Sequence, residues 1–179
     1  MTEQPEPKKA KSWLRELIES VLPALVIVLV VNLFLAQATR VEGQSMEPNL
    51  QNNERLIIEK LTYRFREPER GDIIVIRPPR HTTVPLIKRV IGLPGDLVEI
   101  KLNQVYINGE PLEETYLEQP TLGSMPESLV PEGHVLVLGD NRRASNDSRS
   151  FGMISYEDII GRAWLRYWPP EQFGLMEHR

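Results

Sequence analysis

Two side chains in this sequence have the types needed for a hydrolytic nucleophile and its base. Ser45 lies in Gly43-Gln44-Ser45-Met46-Glu47-Pro48-Asn49-Leu50, a turn-forming stretch just beyond the one membrane-length apolar run. Lys88 lies in Val84-Pro85-Leu86-Ile87-Lys88-Arg89-Val90-Ile91-Gly92, where strand alternation puts it on one face with Leu86 and Val90. A serine nucleophile must give up its proton to a neighbouring base. The three histidines, His81, His134 and His178, are far apart, and there is no cysteine. Lysine can serve only when neutral. At its reference pKa of ~10.4 about 4 amines in 10,000 are neutral at pH 7, a cost of roughly 4.6 kcal/mol; burial among apolar side chains lowers the pKa by up to ~3–5 units. Ser45 and Lys88 therefore suit a Ser–Lys dyad if the fold brings them together. The plainer alternatives are a turn serine and a strand-edge lysine laying its stem along a sheet.

Composition narrows the class. The chain has 179 residues and a net charge of -4, with no basic block longer than Lys8-Lys9, so nucleic acid is not an expected partner. Without cysteine there are no disulfides or thiolate metal sites, and the histidine spacing matches no local metal motif, so neither cofactor nor metal is expected.

The elements that must position the pair begin with a polar tail, residues 1–20, in which Ser12 can cap a helix carrying Trp13, Leu14, Leu17 and Ile18 at helical spacing. Val21 to Ala38 is free of charge, about 18 residues and roughly 27 Å of helix, and is expected to span a bilayer. Lys8, Lys9, Lys11 and Arg15 precede the span, which places the tail in the cytoplasm and residues 39–179 outside it. Ala36-Gln37-Ala38 also has the form of a secretory cleavage site, so removal of the segment is the rival expectation.

Beyond the span the pattern is β. Strands are expected at Arg55–Glu59, Ile73–Ile76, Val84–Gly92, Val135–Leu138 and Ile159–Leu165, with a hairpin formed by Leu97–Leu102 and Val105–Ile107. Residues 110–131, rich in Pro and Glu, read as an irregular insertion. The expected fold is mostly β: a folded antiparallel β-barrel or sandwich catalytic domain behind one N-terminal transmembrane helix.

Four motifs, in this order, resemble those of bacterial type I signal peptidases. They are Ser45-Met46-x-Pro48-x-Leu50; Arg70-Gly71-Asp72-Ile73-Ile74-Val75; Lys88-Arg89-Val90-Ile91-Gly92-Leu93-Pro94-Gly95-Asp96; and Gly139-Asp140-Asn141-Arg142 continuing through Ser145, Asp147, Ser148, Arg149, Phe151 and Gly152. The resemblance implies a membrane-bound serine endopeptidase of the plasma membrane, or of a thylakoid membrane, whose partners are signal-peptide-bearing preproteins and the bilayer. It implies that Ser45 is the nucleophile and Lys88 the general base. Ser145 matches the family serine that hydrogen-bonds the lysine, and Asp147 and Arg149 match a supporting ion pair. Family members cut after small residues at the first and third positions before the bond, which suits an extended substrate on a strand edge. Met46, Ile73, Val75, Leu86 and Val90 are expected wall residues of that groove. Where some members carry a second oxyanion-hole serine, this chain has Gly43. A self-cleaving Ser–Lys protease and an inactive peptide-binding module are the competing readings.

Overall fold

The computed structural model describes residues 13–31, 35–78 and 84–178. Helix α1 (Trp13–Val30) leads into β1 (Ala36–Arg40), β2 (Arg55–Glu59), β3 (Ile73–Ile76), β4 (Leu86–Gly92), β5 (Leu97–Lys101), β6 (Gln104–Ile107), β7 (Glu110–Pro111), β8 (Met125–Leu129) and β9 (His134–Leu138). A short helix α2 (Ser148–Phe151) precedes β10 (Ile154–Ser155), β11 (Ile159–Trp168) and β12 (Gly174–Leu175). The domain is mostly β, and its strands pair antiparallel. One sheet of eight strands runs β1-β2-β11-β3-β4-β9-β10 with β12 on β11, and a second of four runs β7-β6-β5-β8.

Strand β3 shows how the core is divided. All four of its residues are buried; Ile73 and Val75 pack with Met46, Leu50, Leu56, Ile58 and Ala163, whereas Ile74 and Ile76 pack with Val90, Val135, Val137 and Ile154. Alternation sends successive side chains to opposite faces, so a strand covered on both must be apolar throughout. A third cluster, formed by Ile91, Val98, Ile100, Val105, Val130, Leu136 and Leu138, joins the small sheet to the large one.

Two expectations need correction. Residues 110–131 are not wholly irregular: β7 and β8 border the small sheet, β8 pairing with β5 at Leu97↔Leu129 and Ile100↔Met125. A sequence that reads Met-Pro-Glu-Ser-Leu lacks the β-branched residues that announce a strand, and cross-strand pairing supplies what local propensity does not. The apolar run from Val21 to Ala38 is not one helix. Helix α1 ends at Val30, and Ala36 to Arg40 is extended, with Ala38 opposite Ile57 of β2; Asn32, Leu33 and Phe34, like Ser12, lie outside the described residues. Among the described residues no helix is long and apolar enough to cross a membrane. The first turns of α1 carry Arg15, Glu16 and Glu19, leaving about 16 Å of uncharged helix up to Val30.

Candidate active site

Ser45 is held by its neighbours. Met46 and Leu50 are buried in the core on one side of it, the Leu50 N–H donates to the Met46 carbonyl at 2.9 Å, and the Ser45 carbonyl accepts from the Asn141 N–H at 3.0 Å. The backbone is thereby pinned while the hydroxyl stays half-buried. Gly139 is required by this approach: a Cβ there would sit 2.6 Å from Ser145 Cβ and would also meet the Ser45 carbonyl oxygen. Gly43 adopts φ +87°, a left-handed conformation that glycine takes without strain, and its N–H donates to Asn52 Oδ1 at 3.1 Å.

Lys88 enters from the middle of β4 with 1% of its surface exposed. Its Nζ donates to Ser45 Oγ at 2.8 Å and to the Ile87 carbonyl at 2.8 Å, with no carboxylate in ion-pair contact among the described residues. Burial pulls its pKa down to about 8, against the opposing pull of the Asp147 and Asp140 charges. At that value roughly one amine in ten is neutral at pH 7, and the cost of deprotonation falls from ~4.6 to ~1.4 kcal/mol.

The loop from Gly139 to Arg149 closes the back of the pair. Asp147 is fully buried; its carboxylate accepts from Arg149 Nε and Nη2 at 2.8 Å and from the Gly139 N–H at 3.1 Å. Burial pushes its acidity the other way, but the Arg149 hydrogen bond and the Gly139 N–H outweigh it and hold the carboxyl below the usual range. The expected Ser145–Lys88 hydrogen bond is not formed. The buried Ser145 Oγ makes no bond to the Lys88 amine, for which the Ile87 carbonyl is the second acceptor.

A second buried cation follows directly in sequence. Arg89 grips Asp140 bidentately, Nε to Oδ1 at 2.9 Å and Nη2 to Oδ2 at 2.7 Å, donates to the Gly71 carbonyl at 3.1 Å and sits 4.0 Å over the Tyr116 ring. Asn49, four residues after Ser45, donates to Asp140 Oδ2 at 2.8 Å and to the Tyr116 carbonyl at 3.0 Å. Arg142 pairs with Glu114 and bonds Thr121 and the Gly139 carbonyl. Residues 110–131 thus clamp the loop behind Ser45. Asn49, Arg89, Glu114, Tyr116 and Thr121 had no role assigned from sequence; an arginine alternating with Ile87 and Ile91 on one strand face is the one local signal that could have pointed to a buried partner.

A depression of about 220 Å³ opens beside Ser45, between residues 39–42 and residues 84–87. Of the residues proposed from sequence as groove walls, Met46, Val75 and Leu86 line it. Ile73 and Val90 do not: Val90 is fully buried among Ile74, Val135 and Val137, and Ile73 packs against the first core cluster. The wall residues that sequence missed are Thr39, Val41, Val84 and Ile87, whose place depends on two distant segments meeting.

The signal peptidase family, peptidase S26, matches residues 14–168. A probable signal peptidase I-2 of Synechocystis sp. is 41% identical over 96% of this chain and 80% of its own length. Signal peptidase IB of Staphylococcus aureus is 34% identical over 91% of this chain and 94% of its own. A solved signal peptidase I from Enterococcus faecalis, 38% identical, covers 54% of this chain and 97% of its own, with a TM-score of 0.49. The chain belongs to the S26 signal peptidases. Within that class it is a type I signal peptidase, a hydrolase of the serine protease kind.

Proposed function

We propose that this protein is a membrane-anchored endopeptidase that removes signal peptides from translocated preproteins by a Ser45–Lys88 dyad. The observation that carries the reading is the 2.8 Å contact between the buried Lys88 amine and Ser45 Oγ. With the amine neutral, the hydrogen bond reverses: the hydroxyl donates to Nζ, Oγ attacks the scissile carbonyl, and the proton passes to Lys88. The lysinium then protonates the leaving amine of the mature chain. The neutral base next activates a water, which hydrolyses the acyl-enzyme and releases the signal peptide.

The developing oxyanion needs fixed donors, and the Ser45 N–H, which bonds no other group among the described residues, is the first. Gly43 supplies no side-chain donor. Asp147 and Arg149 fix the Gly139–Arg149 loop, and Ser145, packed against Gly139, completes the wall behind the amine.

The substrate lies extended between residues 39–42 and 84–87, and the shallow volume there suits small side chains at alternate positions. The apolar run from Val21 holds the domain at the outer face of a plasma or thylakoid membrane. Every side chain from Val21 to Val31 is exposed, and a helix apolar all round needs an apolar surrounding. Anchoring raises the effective concentration of the cleft near substrates whose own apolar segment ends at the bilayer.

Processing of a membrane-bound preprotein by wild type, Ser45→Ala and Lys88→Ala tests the reading. Only wild type should cut; equal processing by all three removes the dyad, and none by any favours an inactive peptide-binding module. Self-cleavage after Ala38 is disfavoured by the pairing of β1 with β2 along its whole length, and intact-mass analysis of the membrane-bound protein should return the full chain.

A further inference from the structure

The residues that follow Met46 in the Ser45 turn line a second, larger cavity of about 420 Å³. The small depression ends on Ser45 and Met46; the larger one begins at Glu47 and Pro48 and is walled by Asn141, whose N–H holds the Ser45 carbonyl. An endopeptidase must accommodate its substrate on both sides of the bond it cuts. Resting on the dyad reading above, we propose that this cavity receives the first residues of the mature chain and that Glu118, one of the residues lining it, sets their charge preference.

The lining is polar apart from Pro48. Two of its charges are committed elsewhere: Asp140 to Arg89, and Arg142 to Glu114. Glu47, Glu118 and Arg143 make no ion pair among the described residues and remain to meet a ligand. Two carboxylates against one guanidinium leave one negative charge in excess, so the cavity favours basic over acidic residues just after the cut. Glu118 belongs to the 110–131 segment, which gives that segment a substrate-facing edge in addition to its clamp on the loop.

The test uses the full-length protein in vesicles and three preproteins identical up to the cut, followed by Ala-Lys-Lys, Ala-Glu-Glu or Ala-Ala-Ala. Each kcat/KM is normalised to the same enzyme's value on the alanine substrate. Wild type should favour the lysine over the glutamate substrate by roughly 1.5-fold to fivefold at low salt, less at high salt, the range expected of exposed charge pairs. Glu118→Lys should reverse the order. Equal rates for the two substrates with wild type, or a ratio that Glu118→Lys leaves unmoved, would overturn the proposal. Cleavage of the alanine substrate, lost in Ser45→Ala, reports on the dyad separately.

Discussion

Lys88 and Arg89 are consecutive residues of one strand, both almost completely buried, and they are treated in opposite ways. Arg89 faces a carboxylate at bidentate distance, with a carbonyl and an aromatic ring completing its shell. Lys88 is given a hydroxyl and a carbonyl, neither of which neutralises a positive charge. One site is built to keep its cation and the other to lose a proton. Strand alternation makes this possible, since neighbours on β4 point into different surroundings only one residue apart.

The largest expected effect exchanges the two designs. Lys88→Arg places at the serine a guanidinium that cannot be deprotonated in a protein, so kcat/KM should drop toward the ~10⁴-fold limit of general-base catalysis. Single-turnover processing at saturating enzyme measures this, and retention of a tenth of wild-type rate would mean that some other group takes the proton. Next comes the paired site. Arg89→Met leaves Asp140 buried without its cation and should destabilise the fold by ~3–5 kcal/mol in urea unfolding, and adding Asp140→Leu should recover a large part of it. If the double variant is no more stable than the single one, the carboxylate is not the source of the loss.

Lys88→Met should work in the reverse direction. The folded pKa of about 8 lies below the unfolded value near 10.5, so the folded state binds the proton less tightly. Below pH 8 the amine is protonated in both states, and its burial costs at most about 3 kcal/mol. Wild-type stability should recover that amount as pH rises from 8 to 10.5. Lys88→Met should therefore be the more stable protein at pH 7, less the worth of two lost hydrogen bonds, with the gap closing by pH 10.5. A gap independent of pH would mean that the lysine is not strained by burial.

How much of this contrast could be read in sequence depends on range. Strands such as Arg55–Glu59 and Ile73–Ile76 declare themselves locally, because an apolar run between turn residues has few other uses, and both form with the expected bounds. The apolar setting of Lys88 was legible for the same reason. What distinguishes Arg89 from Lys88 was not, since Asp140 is 51 residues away and Tyr116 lies in a segment with no local β signal. The walls at Thr39 and Val41 were hidden for a further reason. A run free of charge from Val21 to Ala38 is helix up to Val30 and strand from Ala36, and the strand end is fixed by pairing with β2.

The finest prediction concerns what tunes the unpaired amine. Burial lowers the Lys88 pKa, while Asp147 and Asp140 raise it through space. A base that acts only when neutral gives a kcat/KM that rises with pH and levels off above its pKa, so wild type should show a midpoint near 8. Asp147→Asn removes the first of the two raising charges, and the midpoint should move below 8. The variant also loses the ion pair with Arg149, so a lower plateau alone would say only that the loop has loosened. The direction of the midpoint separates the two effects: a loosened loop admits water, relieves burial and carries the midpoint upward, toward the ordinary lysine value. A downward shift would make Asp147 an electrostatic brake on the base as well as a tie for the loop, and an upward one would leave it only the tie.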